Sequence, residues 1–283
     1  MTIYAPALPG IKPSIWSPTS PGLVPPEWQW AWHGLVGAWL FQGGGGTTVG
    51  DLFSINNLTF SGTTQWEQQP YGLSVQGVSG NFPGLRLTTP SAILKPTAVT
   101  IMWHGIVVAA GTVDNDPYLV GMSYHSDGSN PYAAYAIARG DAATDIYFQW
   151  NQASAFKSFL VHTQVTYGAI ANYILCVQPG DQRGYKNGVL IGSSTLAGVI
   201  TYGAAPYFQV GNHTTAAAQN TRGSSGLILV WNRALSHAEC ILLSTDPFAP
   251  FRMAEEEDLY VPVAAGGLSI PVAIHHYKLI SEN

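Results

Sequence analysis

Between residues 32 and 246 the chain is a succession of short runs rich in Val, Ile, Leu, Tyr, Phe and Trp. Each run is soon cut off by Gly, Asn, Asp or Ser. Interruptions at this spacing leave no room for a helical bundle or for the long crossover helices of an α/β fold. They predict an all-β sandwich of many short strands. Expected strands include Val99–Val108, Ala133–Arg139 and Ala171–Val177, with shorter ones at Leu58–Phe60, Gly72–Val75 and Gln164–Val165. The strongest hairpin signal is Asn187-Gly188, set between Arg183–Lys186 and Val189–Ile191, because a two-residue type I′ turn needs positive φ at both positions. One segment reads as helix. Ser236 and Glu239 have the spacing of a capping box, and the helix they open should stop before Asp246-Pro247.

The flanks have a different character. Residues 1–31 hold seven of the 19 prolines together with Trp16, Trp28 and Trp30. Proline lacks the N–H and fixes φ, so this stretch suits an extended arm with aromatic anchors. Beyond Pro247, the acidic run Glu255–Asp258 precedes two apolar stretches around Gly266-Gly267, which read as a hairpin carrying Pro262 and Pro271 on edge positions. The expected organisation is therefore an arm over 1–31, a sandwich over 32–246 and a second arm over 247–283.

Composition narrows the function. Charged residues make up 10% of the 283, with 11 Lys+Arg against 16 Asp+Glu and a net charge of −5. Nothing there neutralises a phosphate backbone, so nucleic acid is not an expected partner. No apolar run approaches the roughly 20 residues of a spanning helix, so no membrane is expected either. The opening MTIYAPALPGIKPSIW has neither a basic nor an apolar leader region, which leads to the expectation of a protein made in a cytosol. An apolar, charge-poor chain of this kind suggests a surface covered in an assembly. Cys176 and Cys240 lie in apolar contexts and are expected as buried thiols, with no disulfide indicated.

Three motifs in order carry a family resemblance. Gly34-Leu-Val-Gly-Ala-Trp-Leu-Phe41 with the glycines at 43–46 and Asp51, then Tyr185-Lys-Asn-Gly-Val-Leu-Ile191, then Gly226–Glu239 around Trp231-Asn-Arg-Ala-Leu235, resemble the laminin-G-like branch of the concanavalin A-like lectin jelly rolls. The resemblance spans about 205 residues and implies a jelly-roll β-sandwich with one short capped helix and extended arms. The leader, the phrase Asp246–Phe251 and the tail Gly267–Tyr277 are similar to structural proteins of tailed bacteriophages. They imply a virion protein of capsid or tail, made in the host cytoplasm. The first expectation is a capsid decoration or cement protein that binds the major capsid protein or other virion proteins, with a homo-oligomer, guessed as a trimer, as its state. Its expected contacts are Trp16, Trp28, Trp30, Pro262, Pro271, His275 and His276.

A tail or fibre adhesin that binds host glycan is the alternative, with Tyr124, His125, Tyr132, Tyr135, Trp150 and Asn151 as candidate sugar contacts. Aromatic rings can stack on pyranose faces while amide oxygens orient hydroxyls. No cofactor is expected. Ca²⁺-binding relatives place carboxylates at the rim, where Asp114 and Asp116 are weak candidates here, together with Asp51. A polysaccharide-degrading enzyme is the third reading. The Glu-x-Asp-x-x-Glu strand signature, a nucleophile elbow and a phosphate loop are all missing, so the chain is expected not to be an enzyme.

Overall fold

The computed structural model describes residues 20–107, 118–125, 132–140, 144–152, 155–211 and 223–252. The described residues form fourteen strands: β1 Leu35–Trp39, β2 Thr48–Val49, β3 Leu58–Gln69, β4 Gly72–Leu87, β5 Val99–Val107, β6 Tyr118–Ser123, β7 Ala133–Arg139, β8 Ile146–Gln152, β9 Ala155–Val161, β10 Ile170–Gln178, β11 Asp181–Lys186, β12 Val189–Ser194, β13 Phe208–Val210 and β14 Gly223–Trp231. Every pairing among them is antiparallel. The chain is all-β, as the turn rhythm predicts.

One strand explains how a single sheet encloses a core. The order runs β12-β11-β10-β5-β14-β4-β13-β6-β7-β8-β9. β4 pairs with β14 near its start, at Val75 and Gln76, and with β13 at its end, from Leu85 to Leu87. It belongs to a first layer at one end and to a second layer at the other. The two free ends of the sheet then meet across the core. The Phe148 and Phe159 rings lie over Gly184, and Phe159 also lies over Gly192. A Cβ at either glycine would sit within 2.8 Å of a ring carbon, closer than packed carbons approach.

The interior follows from strand alternation. Ile101 and Trp103 of β5, Tyr173 and Leu175 of β10, and Ile228 and Val230 of β14 meet Met122, Tyr135, Ile137, Phe148 and Trp150 of the second layer. Trp103 donates its indole N–H to Ser225 Oγ at 2.9 Å and Trp39 donates to the Asn56 carbonyl at 2.8 Å, while the Trp150 indole N–H is buried without a hydrogen bond. The other face of the first layer is buried too. Met102, Ile174, Cys176, Leu229 and Trp231 lie under helix α1, His237–Thr245, and under Val24, Trp32, Phe248 and Phe251. Trp231 Nε1 donates to the Ala31 carbonyl at 2.6 Å and Trp32 Nε1 to that of Pro250 at 2.8 Å. Segments from both ends of the described chain thus share one apolar layer, in which Trp28 and Trp30 are partly buried.

The local signals formed as read. Asn187 and Gly188 have φ of 48° and 80°. Ser236 and Glu239 make both bonds of the capping box, and Leu235 and Cys240 are buried in one cluster. Other boundaries moved. β3 and β4 form a long, partly exposed ribbon where shorter strands at 58–60 and 72–75 are predicted, because their pairing with each other extends well past the apolar residues. Residues 164–165 are not a strand, while β9 forms from Ala155 to Val161 by pairing with β8. β1 ends at Trp39, and Phe41 has a φ of 54° that no strand continues through.

Candidate functional site

The second layer presents one row of residues whose register crosses seven strands. Thr59 pairs with Arg86, Arg86 with Gln209, Gln209 with Gly121, Gly121 with Ala136, Ala136 with Gln149, and Gln149 with Ser158. Residues opposite one another across strands project to the same face, so this row lies on the side away from the core. Its centre is built of small residues. A Cβ on Gly121 would approach the Ala136 Cβ to 2.4 Å, so the two strands meet with no side chain between them. On the same face Ala133, Ala136 and Ala138 pack with Tyr118, Tyr147 and Phe156. Gln209, fully buried, has neither amide atom in a hydrogen bond.

At one end of this face the strand termini gather a group of rings. Tyr132, directly before β7, is 44% exposed and meets Phe156 edge to face at 5.9 Å. Tyr124 and His125, directly after β6, are partly exposed and meet edge to face at 4.6 Å. Backbone bonds tie the two pairs together: the Tyr124 N–H donates to the Tyr132 carbonyl at 3.1 Å, and the Tyr118 hydroxyl donates to that same oxygen at 2.9 Å. A Cβ at Gly203 would lie 2.2 Å from the Tyr124 carbonyl oxygen, so only glycine lets that loop pass behind the pair. Nearby, the Arg86 guanidinium lies over the Tyr207 ring at 5.4 Å, and the Tyr207 N–H donates to Ser123 Oγ at 2.8 Å. Arg86 also borders a cleft of about 420 Å³ with Thr59, Phe60, Ser61, Thr88 and Thr89.

The candidate sugar contacts therefore divide. Tyr124, His125 and Tyr132 lie together at the surface. Tyr135 and Trp150 are corrected to core residues. They pair with each other across β7 and β8 and face inward, and burial pushes the Tyr135 phenol above its ordinary range, so that it stays a neutral donor to the Leu94 carbonyl at 2.9 Å. Asn151 is also buried, with its Oδ1 accepting from the Thr201 hydroxyl. Phe156, Tyr118 and Arg86 were not in the sequence-based set. Their shared face follows from strand register, which no local pattern reveals.

Asp51 is buried and both its carboxylate oxygens accept backbone hydrogen bonds. Oδ1 accepts from the Ala38 N–H at 3.0 Å and Oδ2 from the Asn56 N–H at 3.2 Å, closing the loop between β2 and β3. Asp114 and Asp116 lie outside the described residues, as do Trp16, Pro262, Pro271, His275 and His276.

No protein-family model matches the chain, and no curated protein matches it in sequence. Solved structures share its fold. A Trypanosoma rangeli sialidase in complex with sialic acid is 16% identical with a TM-score of 0.55, over 82% of this chain and 36% of that one. The chain thus spans about a third of the sialidase. The binding domain of Paraclostridial Mosquitocidal Protein 1 is 14% identical with a TM-score of 0.56, over 75% of this chain and 52% of that one. Domain 4 of AbnA, a GH43 extracellular arabinanase from Geobacillus stearothermophilus, in complex with arabinotriose, is 15% identical with a TM-score of 0.54, over 74% of this chain and 98% of the domain.

These likenesses correct the expectation that the chain is not an enzyme, since its fold recurs within chains named sialidase and arabinanase.

Proposed function

We propose that the chain is a carbohydrate-binding β-sandwich of the laminin-G-like jelly-roll kind, which takes glycan at the ring cluster of Tyr124, His125, Tyr132 and Phe156. The observation that carries this reading is the cluster itself. Two edge-to-face ring pairs, partly exposed and fixed to each other through the Tyr132 carbonyl, stand at the end of a face whose centre is buried. Such rings offer flat apolar surface to a sugar at little cost in side-chain entropy. The neighbouring Arg86 and Tyr207 add a cation and a hydroxyl for polar groups on the same ligand. That neighbours of this fold were solved with sialic acid and arabinotriose supports the ligand class and supplies the first probes. A place on a tailed-phage particle, as an adhesin of tail or fibre, belongs to the same proposal and rests on the sequence resemblance.

The test is a glycan array that includes sialylated and arabinan oligosaccharides, followed by titration calorimetry on any ligand found. Tyr132→Ala should weaken binding about tenfold or more, as loss of one stacking ring costs of order 1–2 kcal/mol. Trp150→Phe, a change in the core, should leave affinity unaltered in the folded protein. Equal affinity of Tyr132→Ala and the parent would remove the site from consideration. Release of reducing sugar from the bound oligosaccharide, measured in the same samples, would add catalysis to binding.

A further inference from the structure

The cysteines sit in an arrangement that buried bystanders do not need. Cys176 lies on β10 and Cys240 on α1, 64 residues apart in sequence, and their Sγ atoms are 3.5 Å from each other. Alternation puts Cys176 on the outer face of the first layer, and the capping box aims Cys240 at it from the first turn of the helix. The Thr100 hydroxyl donates to Cys176 Sγ at 3.5 Å, and Arg183, from β11, donates to the Leu235 carbonyl at 2.8 Å just before the cap. Both thiols are buried, and both are free.

We propose that Cys176 and Cys240 form a reversible redox staple that locks helix α1 onto β10 when the protein enters an oxidising medium. A disulfide needs the sulfurs at about 2.05 Å, so the pair must close by about 1.5 Å from where it stands. The two thiols are also unequal. Burial opposes ionisation of Cys176, but hydrogen bonds from Cys240 and Thr100 and the Arg183 cation outweigh it and draw its thiol below the usual range. Cys240 is pushed up, first by its bond to Cys176 and then by burial.

With oxidised glutathione as the oxidant, one thiolate of the pair attacks one of its sulfurs, forms a mixed disulfide and releases one glutathione thiolate. The second cysteine then attacks the Sγ of the first, gives up its proton and releases the second glutathione. Two protein thiols are oxidised and one low-molecular-weight disulfide is reduced to two thiols. In a reducing cytosol the pair stays open, and after release it closes.

The whole chain should be equilibrated in glutathione buffers of graded oxidation. Equilibrium is approached both from reduced native protein and by refolding from urea, so that slow access to the buried pair does not limit the reaction. Free thiols are then trapped by alkylation in denaturant and counted by mass, and the same samples are melted. Oxidising buffers should yield an unalkylated monomer that melts about 10 °C higher than the reduced form, since the bond closes a long loop. Cys240→Ala and Cys176→Ser should each keep one alkylatable thiol and show no rise relative to their own reduced states. Two alkylatable thiols by both routes, a lasting glutathione adduct, or only intermolecular dimers would each overturn the proposal.

Discussion

At the scale of single residues, the sharpest constraint is the closure of the sheet over two glycines. Gly184 and Gly192 have no room for a methyl group beneath the Phe148 and Phe159 rings. Gly184→Ala should cost about 1–3 kcal/mol in urea unfolding, the usual penalty of overpacking a core. Pairing it with Phe159→Leu, which vacates ring volume, should recover part of that loss. The sugar-contact residues show why faces were harder to read than strands. Tyr132 and Tyr135 stand three residues apart in one apolar run, yet Tyr132 is exposed while Tyr135, like Trp150, is core. In β5, β6 and β7 both faces of the strand are buried, so the polar and apolar alternation that would reveal direction is absent.

At the scale of elements, helix α1 is the one most open to acid. The Glu239 carboxyl accepts from the Arg233 guanidinium at 2.7 and 3.0 Å and from the Ser236 N–H at 2.6 Å. Burial works against its ionisation, but these bonds prevail and hold it below the usual carboxylate range. Its contribution is therefore fully present above the unfolded value, about 4.3, and is lost as the pH falls through the lower folded value. Glu239→Gln should be less stable at pH 7 and should show a smaller fall in melting temperature between pH 5 and pH 2.5 than the parent. Ser236→Ala should cost about 1 kcal/mol at pH 7, and less once Glu239 is protonated, because the Ser236 hydroxyl also helps hold that carboxyl ionised. This cap and the Asn187-Gly188 turn were legible because each is written in four residues or fewer. β9 and the long β3–β4 ribbon were not, because their polar residues are held in strand conformation by pairing with the adjacent strand of a hairpin and not by an apolar pattern of their own.

At the scale of the whole molecule, the architecture ranks the strands by protection. β5 pairs with both β10 and β14, is buried along its entire length, and separates the inner core from the layer under α1. Its amides should exchange with solvent only through global unfolding, whereas those of β12, at a sheet edge and partly exposed, should exchange far sooner. Hydrogen exchange followed by mass spectrometry would separate the two, and equal protection would argue against a single cooperative core. The all-β class was visible from turn rhythm alone, but the double role of β4, which carries the sheet from one layer to the other, depends on pairings that no local signal encodes.

The meeting of Trp32 with Pro250 has a topological consequence. Residues near both ends of the described chain are side by side on the layer that covers the first sheet, across the molecule from the Tyr132 rings. A fold whose ends touch is close to being a circle, and where a circle is cut matters little to its interior. A permuted gene that joins Arg252 to Ser20 through a short Gly/Ser spacer, so that Val24 keeps its place in the layer, and opens at the exposed Gly198 loop should therefore encode the same sandwich, with new termini beside β12 instead of beneath the tryptophans.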